Sequence, residues 1–187
     1  MAQSQKRLNY AQQVLSGLAF VGLDLISQQV VAIAAPNPIF TPILPEIREQ
    51  LPPGVTLRLP EMLPASPFEL YPYVKAEADS LTIYLATSPD CESAPNPASC
   101  TLGGLGIIGP VDSDDWLNGA DSIIPIYLEA GIPAYQVTRG EGRSLNRLIY
   151  WEENGYRYGV GALGALVTDE ELLAVANSMA TQPALTP

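Results

Sequence analysis

The fold is decided by Leu145–Val160, which reads LNRLIYWEENGYRYGV. Asn154-Gly155 stands at the centre of this stretch, and the dipeptide favours a two-residue turn because both of its positions adopt positive φ angles. Aromatic and β-branched residues, which are typical of β-strands, lie on either side. The stretch therefore predicts a β-hairpin, with one strand over Leu145–Glu152 and the other beginning at Tyr156.

Further strands are predicted on the N-terminal side of this hairpin. The clearest is Leu81–Thr87, which is rich in β-branched and aromatic residues. Thr101–Ile108 contains three glycines and is expected to pair back on it. The other predicted strands are Val55–Leu59, Ser122–Leu128 and Ile132–Thr138. Prolines between them predict a loop over 61–70 and place Tyr71 and Tyr73 in a Pro-rich loop.

Two helices are predicted, and the second completes the fold class. Ile43–Leu51 has apolar residues four apart and Pro45 at a first-turn position. Thr168 and Glu171 form a capping box at the start of a C-terminal helix. The apolar face of that helix consists of Leu172, Leu173, Val175, Ala176 and Met179. We therefore expect an α+β fold, in which an antiparallel sheet of hairpins carries this helix packed on one face.

The first 34 residues differ from the rest, since all 18 prolines lie at or beyond Pro36. A basic start with Lys6 and Arg7 precedes the apolar run Val14–Leu23, and Ala32-x-Ala34 suits a signal peptidase. This pattern favours a cleaved export signal over residues 1–34. A retained hydrophobic helix and a membrane anchor are the alternatives, although Asp24 makes the stretch a poor anchor.

The remaining chain divides into three segments. Residues 35–54 form a Pro-rich lead-in, residues 55–180 form a single α+β domain, and residues 181–187 are expected to be a disordered tail. The length of 187 residues and the 47% hydrophobic content are sufficient for one folded domain.

Charge and composition exclude several classes of function. A net charge of −11 opposes binding to nucleic acid and to anionic membrane surfaces. The chain contains no histidine, which excludes imidazole metal sites and histidine-based catalytic triads. These features predict a protein without a cofactor that is not an enzyme.

Cys91 and Cys100 enclose a stretch of turn residues with two prolines. Such a stretch forms a loop, and a disulfide between its ends is the favoured interpretation. Free buried thiols and half of a zinc site are the alternatives, although zinc would need its remaining ligands from carboxylates. A disulfide would place the protein in an oxidising compartment.

Two other motifs point to chemistry only weakly. Gly159–Gly164 matches the letters G-x-G-x-x-G, but too little chain follows to complete the βαβ unit of a dinucleotide site. Acidic residues are densest at Asp112–Asp121, where calcium binding is chemically conceivable although the spacing is not that of an EF-hand. The ordinary interpretations are a glycine-rich strand exit and a solvated acidic turn.

Aromatic residues concentrate on the Leu145–Val160 hairpin. Trp151, Tyr156 and Tyr158 are favoured as structural residues of the sheet, because aromatic cross-strand pairs stabilise hairpins. A ligand-stacking surface formed by the same three residues is the alternative.

In order along the chain, these pieces resemble a group of small, exported, uncharacterised cyanobacterial proteins. The resemblance covers about residues 55–180 and rests on Arg58-Leu59-Pro60, the Cys91–Cys100 loop, the I-x-W-x-x-x-G-x-x-Y hairpin Ile149–Tyr158 and Ala176-Asn177-Ser178. The C-terminal half is also distantly similar to DUF4367-type domains of extracytoplasmic envelope proteins. The resemblance implies an exported protein, and it carries over no catalytic residue.

The favoured function is a non-enzymatic, extracytoplasmic binding module of the cell envelope. Its location would be the periplasm, the thylakoid lumen or the cell surface, with no transmembrane span in the mature chain. The expected partner is another envelope protein, a glycan or a lipid, and not nucleic acid. The alternatives are an accessory subunit of a membrane complex, such as a photosynthetic one, and a carboxylate-dependent hydrolase.

Overall fold

The computed structural model describes residues 35–111 and 117–187. These residues form one antiparallel sheet of seven strands in the spatial order β1-β2-β3-β7-β6-β5-β4. The strands are β1 (Tyr71–Glu77), β2 (Ser80–Ala86), β3 (Thr101–Pro110), β4 (Ser122–Tyr127), β5 (Pro133–Arg139), β6 (Asn146–Glu153) and β7 (Tyr156–Leu163). The predicted class, an antiparallel sheet of hairpins with a C-terminal helix, is confirmed in outline.

The strands form two groups that meet at the middle of the sheet. Hairpins connect β1 to β3 in one group, and a second run of hairpins connects β4 to β7. The pairing of β3 with β7 joins the groups, so segments distant in sequence become neighbours at the centre.

The β6–β7 hairpin is confirmed in detail. Its turn residues Asn154 and Gly155 have φ angles of 53° and 80°, which is the left-handed pair that a two-residue hairpin turn requires. In the register that follows, Glu153 pairs with Tyr156 and Trp151 with Tyr158.

Alternation along the strands gives the sheet two faces, which we call the core face and the cleft face. On the core face, large apolar side chains pack beneath the helices and the lead-in: Leu81, Ile83, Leu105, Ile107, Ile149, Trp151, Tyr158 and Val160. Residues from outside the sheet cover them: Phe40, Ile47, Leu51, Val55, Leu57, Leu59, Leu172, Val175, Ala176 and Met179.

The helices lie where the sequence predicts them. α1 (Leu44–Gln50) follows a short 3-10 helix over Pro38–Ile43 and buries Ile47. α2 (Asp169–Thr181) begins with the predicted capping box, since the Thr168 hydroxyl accepts from the Glu171 N–H and the Glu171 carboxylate accepts from the Thr168 N–H. No helix in the described part of the chain is both long and apolar enough to cross a membrane.

The predicted strand Val55–Leu59 does not belong to the sheet. Its alternation is real, because Val55, Leu57 and Leu59 are all buried, yet they pack on the core face of the sheet and add no strand to it. Leu57 instead forms a two-way backbone bridge with Leu185, at N···O distances of 3.1 and 2.7 Å. The tail, which we expected to be disordered, is held at this point by hydrogen bonds to the core.

Strand β1 lies where the sequence predicted a Pro-rich loop. Tyr71 and Tyr73 belong to this strand, and Tyr73 pairs with Tyr84 of β2. β1 is at one edge of the sheet, so the missing N–H of Pro72 can be accommodated there without loss of a ladder hydrogen bond. A proline within a strand-like sequence therefore argues against a central position of that strand in the sheet, but it is compatible with a position at the edge.

The Cys91–Cys100 disulfide is present, with a Cα–Cα distance of 5.9 Å. It closes a loop that contains two single-turn 3-10 helices, Cys91–Ser93 and Pro97–Ser99. The Thr87 N–H donates to the Cys100 carbonyl at 2.9 Å, which attaches the end of the loop to the end of β2. The loop thus connects β2 to β3 as predicted.

Candidate functional site

A cleft of about 830 Å³ lies on the cleft face of the sheet. Strands β1, β2, β3, β7 and β6 all contribute to it, and the disulfide loop borders one end. Ligand clefts in proteins typically enclose a few hundred to a thousand Å³, so this cleft has the size of a ligand site.

The register of the strands explains why the cleft exists. Two rows of cross-strand neighbours lie on the cleft face, and in both rows the residues from β3 and β7 are glycines. The first row consists of Tyr73, Tyr84, Gly104, Gly161 and Leu148. The second row consists of Lys75, Thr82, Gly106, Gly159 and Tyr150. The centre of the sheet, β3 and β7, therefore presents backbone between walls carried by β2 and β6, which lie about 14 Å apart at ordinary strand spacing.

One wall leans inward over the glycines of β7. A β-carbon built on Gly159 would lie 2.8 Å from the ring of Tyr150, and one built on Gly161 would lie 2.8 Å from a methyl group of Leu148. A real β-carbon does not come within 3.0 Å of a non-bonded carbon, so any larger residue at either position would displace the wall. A glycine within a strand costs about 0.5–1 kcal/mol relative to alanine, and here that cost permits the close packing of Tyr150 and Leu148.

The other wall is a pair of stacked tyrosines. The ring centroids of Tyr73 and Tyr84 lie 5.1 Å apart with an interplanar angle of 23°. The hydroxyl groups of Tyr73 and Thr101 are 3.3 Å apart, and Thr101 also donates to the Pro97 carbonyl at 2.9 Å. These bonds connect the aromatic wall to the disulfide loop, and Glu92, Pro97 and Ala98 of that loop line the same end of the cleft.

The chemistry of the lining is mainly aromatic and aliphatic with a polar margin. Apart from the tyrosines, Lys75 and Glu92 are the ionisable residues among the described lining residues. Hydroxyl and amide groups come from Thr82, Thr101, Ser144 and Asn146. Burial raises the pKa of the Tyr150 phenol, and the positive charges of Arg139 and Arg157 act in the opposite direction. This phenol is therefore a neutral group at physiological pH.

Trp151 and Tyr158 do not form the surface that the aromatic-binding alternative requires. Both lie on the core face, with 3% and 5% of their surface exposed, and their rings stack at 5.8 Å. The Tyr158 hydroxyl donates to the Thr56 carbonyl at 2.9 Å, and Tyr156 packs at the margin of the same core. The burial of these two rings agrees with the structural interpretation that the sequence favours, because α2 and the segment that contains Thr56 cover the face on which they lie.

The acidic cluster falls largely outside the described residues, since Asp112, Asp114 and Asp115 are not among them. Asp121 is described, and its carboxylate accepts a hydrogen bond of 2.6 Å from the Gly140 N–H. Within residues 35–111 and 117–187, no three acidic or cysteine side chains are grouped as a metal site would need. Calcium binding by this segment stays a prediction.

Sequence reasoning did not identify the cleft residues. The sequence places Gly103, Gly104 and Gly106 in a predicted strand and Gly159 and Gly161 in a glycine-rich strand exit, and neither pattern predicts a cleft. The signal that could have found the cleft is the i, i+2 spacing of glycines in two separate strands, since that spacing places them on one face. The tyrosines Tyr73 and Tyr84 could be assigned to the wall only after β1 was known to be a strand.

Comparison with known protein families, curated proteins and solved structures found no match to the chain. The resemblance to exported cyanobacterial proteins and to DUF4367-type domains therefore stays a prediction.

Proposed function

We propose that this protein is a non-enzymatic binding module and that the cleft over Gly104 and Gly161 is its binding site. The observation that carries the proposal is the cleft itself, which spans five strands and has a floor of glycine backbone. Tyr150 and Leu148 pack closely over Gly159 and Gly161, so the support comes from Gly104, beside the ring of Tyr84. Glycine in a strand is characteristic of places where a ligand or another group approaches the backbone closely.

The lining supports binding over catalysis. Lys75 and Glu92 lie among aromatic, aliphatic and hydroxyl groups. A carboxylate-dependent hydrolase would need two carboxyl groups at a defined separation of about 5–10 Å across the bond they cleave. The lining instead combines apolar area with dispersed hydrogen-bonding groups, the usual composition of a recognition site.

The disulfide supports an extracytoplasmic setting for this module. Disulfides persist in oxidising compartments and are rare in the cytosol. The Cys91–Cys100 bridge closes the loop that borders the cleft, so an oxidising compartment would also keep the binding site intact. The partner would be another envelope protein, a glycan or a lipid of the periplasm, thylakoid lumen or cell surface.

An accessory-subunit function is favoured by a second observation. The edge strand β4 exposes Ile123, Ile124 and Tyr127 to solvent. Apolar groups on an unpaired strand edge are a common basis for docking to another protein. Such docking would place the protein on a larger membrane complex.

Affinity purification of the native protein from its cells tests both functions when matched variants are included. Thr82→Trp fills the cleft, whereas Tyr127→Ser changes only the β4 edge, and circular dichroism verifies that each variant folds. A partner or ligand that is retained by Tyr127→Ser and lost by Thr82→Trp supports the cleft. Loss by Tyr127→Ser alone supports edge docking, and a partner unaffected by Thr82→Trp rejects the cleft as the binding site.

A further inference from the structure

We infer that the cleft takes an uncharged oligosaccharide, an inference that rests on the proposed binding function and specifies its ligand. Three properties of the cleft lead to this class: an accessible aromatic ring face, hydrogen-bonding side chains at the margin instead of the floor, and a balance of charge within a strongly acidic chain.

The ring face belongs to Tyr84. One neighbour of Tyr84 in the sheet is Tyr73, whose ring stacks on it, and the neighbour on the other side is Gly104. A β-carbon on Gly104 would lie 3.4 Å from the ring of Tyr84, in ordinary van der Waals contact. Because glycine carries no side chain at that position, the ring of Tyr84 borders the floor of the cleft at Gly104, and the Leu148 methyl group lies beyond it over Gly161.

A pyranose ring matches this arrangement. Its axial C–H groups form an apolar face that packs against an aromatic ring, and its hydroxyl groups project around the perimeter. The floor cannot bind those hydroxyls, because the N–H and C=O groups of β3 and β7 are used in the sheet ladder. Hydrogen bonds to the ligand must therefore come from the margins.

Polar groups stand at those margins. Lys75 and Thr82 are cross-strand partners next to Tyr84, and Glu92 lies at the end formed by the disulfide loop. In the described part of the chain, none of these three side chains has a hydrogen bond or an ion pair of its own. They can donate to and accept from sugar hydroxyls without breaking an existing contact.

Charge favours an uncharged sugar over an acidic one. Lys75 and Glu92 contribute opposite charges to the lining, so the cleft itself has no net charge from these two groups. The chain as a whole carries a net charge of −11, which repels polyanions. A purely apolar ligand would fit the floor and leave the hydrogen-bonding capacity of Lys75 and Thr82 unused.

NMR titration of the disulfide-bonded protein tests the inference. The probes are tetrasaccharides of α-glucan, β-glucan, mannan, xylan and chitin type, with tetragalacturonic acid as the acidic comparison and Nile red as the apolar one. We expect at least one neutral tetrasaccharide to shift the backbone amide signals of Gly104, Gly106, Gly159 and Gly161 saturably, and more tightly than either comparison probe.

Three variants identify the contacts. Tyr84→Leu keeps an apolar side chain but removes the flat ring, and we expect it to weaken binding about fivefold or more. Thr82→Val is nearly isosteric, so it preserves the fold while it removes the hydroxyl, with an expected loss of about fivefold. The control is Tyr127→Leu, which makes the same tyrosine-to-leucine change at an exposed residue of β4 and should leave tetrasaccharide binding unchanged.

The inference is overturned if no neutral tetrasaccharide binds, if the shifted signals lie outside the cleft, or if Tyr84→Leu and Thr82→Val both bind as the parent does. Tighter binding of Nile red or tetragalacturonic acid also overturns it. Loss of a native partner by Thr82→Trp, together with no tetrasaccharide binding, would reject the sugar and retain the binding function. Retention of the native partner by Thr82→Trp would reject the function itself.

Discussion

At the scale of single residues, Trp151 and Tyr84 show how similar side chains acquire different roles. Both are aromatic residues in central parts of the sheet, but their side chains lie on opposite faces. Trp151 packs against Tyr158 beneath α2 and the segment that contains Thr56, whereas Tyr84 stacks on Tyr73 at the margin of the cleft. The first contributes its area to the core, and the second lines the cleft.

Trp151→Ala is expected to destabilise the fold by about 3–5 kcal/mol, because it removes a buried indole and leaves a cavity under the core cluster. Urea unfolding measures the change. Tyr127→Ala, at a residue with 74% of its surface exposed, is the control and should cost little. A thermal unfolding midpoint for Trp151→Ala within about two degrees of that of the parent would contradict the assignment of Trp151 to the core.

Two buried tyrosines are expected to make stability depend on alkaline pH. Burial is the main cause that raises the pKa of both Tyr150 and Tyr158. The folded protein therefore holds these protons more tightly than the unfolded chain, whose tyrosines titrate near pH 10. Their contribution is complete below about pH 10 and is lost as the pH rises through the folded-state pKa values.

Urea unfolding between pH 8 and pH 11 measures this loss. The double variant Tyr150→Phe/Tyr158→Phe should show a shallower decline than the parent above pH 10, although it begins from a lower stability because the hydrogen bond to Thr56 is gone. An equal slope in parent and variant would show that other groups cause the alkaline decline.

At the scale of elements, the β6–β7 turn holds the centre of the sheet in register. Gly155 has a φ angle of 80°, a conformation that β-branched residues adopt only under strain. Gly155→Val should therefore cost about 1–3 kcal/mol in the free energy of unfolding, measured by urea titration. Gly155→Asn is the matched control, because asparagine tolerates this conformation. Equal losses in both variants would contradict the strain argument.

The disulfide loop is the second element whose contribution to the free energy of unfolding can be measured by itself. Closing ten residues by Cys91–Cys100 should stabilise the protein by roughly 2–3 kcal/mol in the chain-entropy model. The double variant Cys91→Ser/Cys100→Ser should lose this amount and remain folded, since most of the core lies elsewhere. A reducing agent should lower the parent to the stability of the variant. Two thiols that alkylate freely in protein from intact cells would reject the bridge.

At the scale of the whole molecule, the chain is expected to be exported and processed. This prediction comes from Lys6 and Arg7, the apolar run Val14–Leu23 and the small residues Ala32 and Ala34. N-terminal sequencing of the native protein should begin near Ala35, in an extracytoplasmic fraction. An intact amino terminus in the cytoplasmic fraction would overturn the prediction.

Both edges of the sheet contain a proline, Pro72 in β1 and Pro125 in β4. An edge proline withholds a backbone N–H from incoming strands, which limits uncontrolled pairing between molecules. The sequence around Pro125 predicts a strand and that around Pro72 predicts a loop, because edge and loop positions are equally compatible with proline. Only the partner strand β2 decides between them.

The sequence by itself determined the features that depend on near neighbours. Asn154-Gly155 specifies a hairpin, Thr168 and Glu171 begin a helix, and Cys91 and Cys100 close a loop, because each of these rests on contacts within a few residues. The alternation of apolar residues likewise established that strands with two different faces exist.

Only the tertiary structure decided which face became the core and which became the cleft. An alternating strand pattern shows that the two faces differ but does not show which segments will cover each face. The segments that cover the core face come from residues 35–70 and from α2, which are distant in sequence from most of the strands. Val55–Leu59 has a strand-like pattern but packs across the sheet, because its buried residues meet the core face. The cleft arises where β3 meets β7, since that pairing aligns Gly104 with Gly161 and Gly106 with Gly159. No local signal contains that alignment, because it is fixed by the packing of two hairpin groups against one shared core.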